Sequence, residues 1–266
     1  MKNFDSFAVL DTPEIRGIIF YPRPAYGVPK YDEKNLFFET EPGVRIGCRF
    51  YQAGRDRPTI LFFHGNGEIV TDYDDIATLY NQKNINLLVT DYRGYGFSDG
   101  SPTIANLLTD AKNIFSRAKK WLKEKGFTKN LYVMGRSLGS ISAIEVAKEY
   151  QNDLTGLIVE SGSATNFRSL LTMHGLVSAD HPIWKEGNNF FSKEKIRRIN
   201  IPTLIIHAEQ DGIIPVQEAK ILYENSGANS KKLIVIPRAD HNNLMYAALE
   251  LYFKSISEFI ESSIIQ

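Results

Sequence analysis

The sequence predicts an α/β fold, with a mostly parallel sheet and helices on both its faces. After about residue 58, short apolar or β-branched runs alternate with helical stretches, which is the pattern of β-α-β units. No internal repeat or low-complexity tract interrupts the alternation. Apolar residues make up 43% and charged residues 23% of the chain, ordinary values for a globular domain. With 266 residues and no compositional break that marks a linker, residues 1–266 read as a single domain.

Taken in order, Arg16 to Phe20, Leu36 to Thr40 and Arg45 to Tyr51 read as strands separated by proline and glycine turns, an antiparallel edge to the sheet. Six buried parallel strands follow: Thr59 to Phe63, Ile85 to Val89, Leu131 to Met134, Leu157 to Val159, Thr203 to Ile206 and Leu233 to Ile236. Between them, Ala105 to Lys125, Leu138 to Tyr150, Val216 to Asn225 and the stretch from Asn243 onward carry helix formers with apolar recurrence at three and four residues. Residues 163–200 are too long for an ordinary connection and form an insertion rich in large apolar side chains. Among Phe167, Leu170, Leu171, Met173, Leu176, Trp184, Phe190 and Phe191, the substrate-binding candidates are Phe167, Leu171, Met173, Trp184 and Phe190.

Lysine and arginine together number 31, matching 31 aspartates and glutamates, so no net field draws the chain to nucleic acid or an anionic membrane. No stretch reaches the ~18 apolar residues of an integral membrane segment, and the opening MKNFDSFAVLDTPEIRG does not read as a signal peptide. Cys48 is the single cysteine, read as a structural residue in a strand, and a reducing, cytoplasmic setting is expected. Nothing in the sequence sets the oligomeric state.

Gly135-Arg136-Ser137-Leu138-Gly139 directly follows one predicted strand and opens a predicted helix, the context that a G-x-S-x-G nucleophile elbow requires. The amide of Leu138, at the positive end of the helix dipole, is one oxyanion donor. His64-Gly65-Asn66-Gly67 follows the first parallel strand and supplies the second, from Asn66 or, failing that, Gly67. His64 itself reads as a structural residue.

A serine needs a base behind it. Of five histidines, His64 precedes the nucleophile, His174 and His181 lie in the insertion, and His207 sits in an apolar run. His241, after the last strand and before the last helix, occupies the position a general base needs. Asp211 follows the strand Thr203 to Ile206, and Gly212 permits the turn that aims its carboxylate at the imidazole. Glu160, after Leu157 to Val159, is the alternative acid. The order Ser137, Asp211, His241 is that of the α/β-hydrolase triad. Asp91 and Asp99 precede the nucleophile and stay outside the triad. No cluster has metal-ligand spacing, and the DYRGYGFSDG segment is neither a phosphate loop nor a dinucleotide fingerprint.

On the motifs Phe63-His64-Gly65-Asn66-Gly67, Asp91-Tyr92-Arg93-Gly94-Tyr95-Gly96, Gly135 to Gly139, Glu209-Gln210-Asp211 and Asp240-His241-Asn242, the chain resembles the α/β-hydrolases, in particular compact serine hydrolases such as acylglycerol lipases and protein depalmitoylases. The resemblance implies an eight-stranded, mostly parallel sheet, a short cap after strand six, and cofactor-free hydrolysis of a carboxylic ester or thioester on a small-molecule or acylated substrate. Arg136 stands where many lipases have histidine, and Gly-Asn-Gly replaces the Gly-Gly-Gly loop of some esterases. Two other readings stay open: a serine peptidase or aminopeptidase on the same triad, for which Glu186 in the cap would hold the amine, and a non-catalytic binding protein on this fold.

Overall fold

The computed structural model describes residues 7, 9–27, 34–185, 187 and 190–264; Glu186 lies outside them. Eight strands, β1 (Asn35–Glu41), β2 (Val44–Tyr51), β3 (Thr59–Phe63), β4 (Asn86–Thr90), β5 (Leu131–Arg136), β6 (Gly156–Glu160), β7 (Thr203–Ala208) and β8 (Lys231–Ile236), form one sheet in the order β1-β2-β4-β3-β5-β6-β7-β8. The pairs β1/β2 and β2/β4 are antiparallel, and every later pair is parallel.

The central parallel strands are mainly apolar and buried because both faces are covered, whereas β8 at the edge is only partly buried. In β3, Ile60 and Phe62 join one buried cluster while Leu61 and Phe63 join the other, as the two-residue period of a strand requires. The face of Leu61 and Phe63 carries α3 (Ile104–Glu124), α4 (Leu138–Tyr150) and α7 (Val216–Asn225). The face of Ile60 and Phe62 carries α2 (Ile76–Gln82) and α9 (Leu249–Ile264), with the short α8 (Leu244–Ala247) before it. Helix α3 begins at Thr103, whose hydroxyl accepts from Asn106 N at 3.0 Å, and it buries Leu107, Leu108, Ala111, Ile114, Phe115, Ala118 and Leu122 along one stripe.

Register aligns the carboxyl ends of the central strands. Phe63 lies opposite Gly135, Gly135 opposite Val159, and Glu160 opposite both Arg136 and Ile206. The loops after β3, β5, β6 and β7 therefore emerge along one edge, at the point where strand order reverses around β3. Open α/β sheets bind ligands there.

The strand expected at Arg16 to Phe20 is instead helical, in α1 (Pro13–Ile19). Thr12 Oγ1 accepts from Ile15 N at 3.3 Å, and Pro13 at the first helical position needs no partner for its nitrogen, so the local chemistry starts a helix before the apolar run. Ile15 and Ile19 are its buried face.

The insertion between β6 and β7 folds into α5 (Arg168–Met173), a 3₁₀ turn at Pro182–Trp184 and α6 (Ser192–Ile196). Its aromatic residues mostly serve packing. Trp184, Phe190 and Phe191 are buried, with ring centroids 5.6 Å apart for Trp184 and Phe190 and 5.7 Å for Phe190 and Phe191, and Phe7 closes the group at 5.2 Å from Phe190. Each such ring contributes about 1.5–3 kcal/mol by burial. Lys195 of α6 meets Glu145 of α4 at 2.7 Å in a buried ion pair, which ties the insertion to the helix behind the elbow. Among the described residues, no helix is long and apolar enough to cross a membrane.

Candidate active site

Ser137 sits between the end of β5 and the start of α4 with φ 51° and ψ −115°, a conformation L-residues rarely adopt. Such a backbone costs ~1–3 kcal/mol and persists only where its surroundings over-determine it. Here they do. A Cβ on Gly135 would come within 3.0 Å of the Gly139 carbonyl, and one on Gly139 would come equally close to the Phe63 carbonyl. Strand and helix therefore cross at a distance that only glycine permits. Ser137 N donates to Glu160 O at 2.9 Å, which pins the turn to β6.

His241 lies in the loop after β8, with Nε2 2.9 Å from Ser137 Oγ and Nδ1 2.7 Å from Asp211 Oδ2. Asp211 follows β7. Its second oxygen, Oδ1, accepts from Ile213 N at 3.0 Å and Ile214 N at 2.7 Å. Burial pushes the Asp211 carboxyl up, but the hydrogen bonds from His241 and these amides outweigh it and hold the group below the usual aspartate value. With Asp211 accepting at Nδ1, the imidazole carries its proton there and turns the Nε2 lone pair toward Ser137. His207 Nε2 lies 2.8 Å from Ile214 O and 3.4 Å from Asp211 Oδ2, and burial keeps this second imidazole below the usual histidine value.

Glu160 is engaged elsewhere. Its carboxylate faces Arg136 Nε at 3.2 Å and accepts from Tyr252 OH at 2.6 Å, and burial raises its pKa. Neither oxygen approaches an imidazole within bonding distance among the described contacts.

Asn66 and Leu138 both line the cleft beside Ser137, and neither main-chain N–H donates to an acceptor among the described residues. The Asn66 side chain fixes its loop, donating to Ile19 O at 2.7 Å and accepting from Tyr21 N at 3.0 Å and Tyr95 OH at 2.7 Å. The DYRGYG segment supports the same loop. Tyr92 OH donates to His64 O at 2.6 Å, and Asp91 Oδ1 meets His64 Nε2 at 3.1 Å and Val70 N at 2.9 Å.

Ser137 opens into a cleft of about 700 Å³, a size that suits a small organic ligand. Ile18, Ile19, Leu138, Ile141, Ile213 and Ile214 make much of its apolar wall. Of the five substrate-binding candidates, Phe167 and Met173 line the cleft, together with Leu170. Leu171, Trp184 and Phe190 do not: Leu171 is wholly buried in the core, and the two aromatics are consumed by the packing of the insertion. The α1 contribution was missed because that segment read as a strand; the Thr12-Pro13 helix start was the available signal. Glu218 adds one carboxylate to the wall, its Oε2 accepting from Ser163 Oγ and Thr165 N at 2.8 Å and from Thr165 Oγ1 at 3.0 Å. No grouping of three metal-ligating side chains occurs among the described residues.

A family model described as "Serine aminopeptidase, S33" matches residues 54–179. The chain is 28% identical over 243 residues to alpha/beta hydrolase domain-containing protein 17C of Xenopus tropicalis, covering 88% of this chain and 72% of that one. It is 32% identical over 235 residues to the lysophosphatidylserine lipase ABHD12 of Danio rerio, covering 75% of this chain and 60% of that one. Among solved structures, the Pyrococcus furiosus esterase Pf2001 superposes with a TM-score of 0.72 at 20% identity, over 91% of this chain and 98% of the esterase, a likeness of fold.

Proposed function

We propose that the chain is a serine hydrolase of the α/β-hydrolase superfamily, cleaving a carboxylic ester or thioester through an acyl-enzyme on Ser137, a reading supported by the matching family model, the hydrolase relatives and the shared fold. The observation that carries this reading is the relay from Asp211 through His241 to Ser137, with hydrogen bonds of 2.7 and 2.9 Å, at the mouth of a largely apolar cleft.

In the first step Ser137 Oγ attacks the carbonyl carbon while His241 Nε2 takes the hydroxyl proton. The carbonyl π-bond opens onto the oxygen, and the amides of Asn66 and Leu138 receive the resulting negative charge. The intermediate collapses with the leaving alkoxide or thiolate taking its bonding pair and a proton from the imidazolium. Water then enters, loses a proton to His241 and attacks the acyl carbon; collapse returns the proton to Ser137 Oγ and frees the acid. Asp211 holds the imidazole in the tautomer both steps need and stabilises its charged form. The absence of a cofactor from these steps and a cytoplasmic setting, which the lone buried Cys48 suits, belong to the same proposal.

Because Phe167, Leu170, Met173 and the isoleucines of the cleft favour an apolar acyl group, matched ester and thioester series from acetyl to dodecanoyl should show kcat/KM rising with chain length to at least octanoyl. Acetyl esters outrunning octanoyl esters would remove the apolar acyl site from the proposal.

An aminopeptidase is the second reading, favoured by the description of the matching family and by Glu218, a carboxylate in the cleft wall. Aminoacyl p-nitroanilides turned over faster than simple esters, with the preference lost in Glu218→Gln, would establish it.

A further inference from the structure

Arg136 occupies the variable position just before the elbow serine, and nothing in the acyl-transfer steps above uses it. Its guanidinium nevertheless reaches three separate parts of the site. Nη1 pairs closely with Glu68 Oε1, Nη2 donates to the main-chain oxygen of His241 at 2.8 Å, and Nε lies 3.2 Å from Glu160 Oε1. Glu68 in turn accepts the main-chain N–H of Gly65 at 2.8 Å and the hydroxyl of Tyr73 at 2.7 Å through Oε2. Gly65 immediately precedes Asn66, so one side chain joins the turn that carries an oxyanion donor to the loop that carries the histidine. Glu160 anchors the third corner from beneath, held by Tyr252 OH at 2.6 Å, while its main-chain oxygen receives Ser137 N.

The guanidinium and the Glu68 carboxylate close tightly over Gly65. A Cβ on Gly65 would fall within 3.0 Å of both Arg136 Nη1 and Glu68 Oε1. Arg136 is only 14% exposed at the side chain, and Glu160 5%. Removing a buried guanidinium would leave two carboxylates facing one another without a counter-charge. A planar fork with five donors can satisfy three acceptors on different loops, which a lysine ammonium on its flexible stem cannot reproduce.

We propose that Arg136 is a positioning residue that sets the oxyanion turn and the His241 loop in register with each other, so that donor and base address the same substrate carbonyl. This rests on the acyl-enzyme reading above. Its function is geometric: the guanidinium touches neither the reacting carbonyl nor the Ser137 hydroxyl, and acts through Glu68 on one side and the His241 carbonyl on the other.

A second cavity makes the idea directly testable. Behind the His241 loop lies a crevice of about 190 Å³, bordered by Glu68, Arg136, Glu160, Tyr73, Tyr252 and the exposed Tyr246. Truncating Arg136 would enlarge it by the volume of the lost side chain and leave the two carboxylates exposed to a small planar cation diffusing in from solvent.

The experiment compares Arg136→Ala, Arg136→Lys and Glu68→Gln with the parent, measuring kcat and KM separately for a p-nitrophenyl ester and the melting temperature of each. Arg136→Ala is then assayed in millimolar guanidinium chloride, against sodium chloride at equal ionic strength. Misplacement by about an ångström costs on the order of 10²-fold in rate, so Arg136→Ala should lose about that much in kcat with KM within about threefold. Arg136→Lys should recover only part of the loss, and Glu68→Gln should lower kcat in the same sense. Guanidinium should raise the turnover of Arg136→Ala saturably without a matching rise in melting temperature. A folded Arg136→Ala with kcat within about threefold of the parent would overturn the proposal, as would a loss that follows melting temperature alone across the variants. Should Arg136→Ala not fold, Arg136→Lys decides on the same criterion. If the parent itself forms no acyl-enzyme, it is the hydrolase reading that fails.

Discussion

Asp211→Asn exchanges one atom, yet the structure predicts that it inverts the tautomer of the base. Asp211 Oδ1 receives two main-chain N–H groups, from Ile213 and Ile214, so the carbonyl oxygen of an asparagine must take that place. Its NH₂ is then left facing His241 Nδ1, 2.7 Å away in the parent, where it can only donate. The imidazole must present a lone pair at Nδ1 and move its proton to Nε2, toward Ser137, where a base is needed. Neutralising the carboxylate also removes the charge that stabilises the imidazolium. Losses of ~10⁴-fold in kcat accompany this change in serine hydrolases, equivalent to about 5.4 kcal/mol of transition-state stabilisation. Glu160→Gln, by contrast, retains an acceptor for Tyr252 and should cost less than about tenfold. Steady-state hydrolysis of a p-nitrophenyl ester by both variants, each checked for folding by circular dichroism, decides between the acids. Near-parental turnover by Asp211→Asn beside an inactive Glu160→Gln would refute the reasoning.

Gly139→Ala should prevent the elbow from closing and lower stability by about 3 kcal/mol or more, since its Cβ would collide with the Phe63 carbonyl; an unchanged denaturant midpoint would contradict this. Lys195→Met should destabilise the fold by about 3 kcal/mol by leaving the buried Glu145 with only Lys148, 3.8 Å away, as a paired cation among the described residues, while Lys195→Met combined with Glu145→Leu should recover most of the loss, as chemical denaturation would report. Asp211, held below the usual aspartate value by its hydrogen bonds, should keep its charge from weakly acid to neutral pH. The sign for stability is the usual one for a depressed carboxyl: what Asp211 contributes is complete above the unfolded aspartate value of ~3.9 and is lost as pH falls through its lower folded value, so acid titration of the folded state should place its protonation below ~3.9.

The strands β3 to β7 were legible as short, mainly apolar runs buried on both faces and bounded by helical periodicity, and the edge strand β8, which opens on Lys231 and Lys232 and is only partly buried, by its apolar stretch Leu233 to Ile236. Chain order also brought Ser137, Asp211 and His241 into view, since each stands at a strand end and the register of β5, β7 and β8 collects those ends on one edge. Helix α2 left little trace: it is seven residues long and follows the acidic run Asp72 to Asp75. Residues 16–20 carry enough β-branched side chains to read as a strand, and only the Thr12 cap and Pro13 reveal the helix. In the cap, apolar character alone could not separate Met173, which is exposed at the cleft, from Leu171, which turns to the core; that distinction depends on where α5 docks. The Arg136–Glu68 pair joins residues 68 positions apart, and no local period encodes a contact of that kind.

Fluorophosphonate labelling followed by intact-mass and peptide analysis tests the nucleophile most directly. The geometry of Ser137 beside His241 predicts one stoichiometric adduct, on the peptide containing Ser137, formed in step with the loss of ester turnover, and neither labelling nor turnover in a folded Ser137→Ala. An adduct on another residue, or labelling that persists in Ser137→Ala, would contradict it.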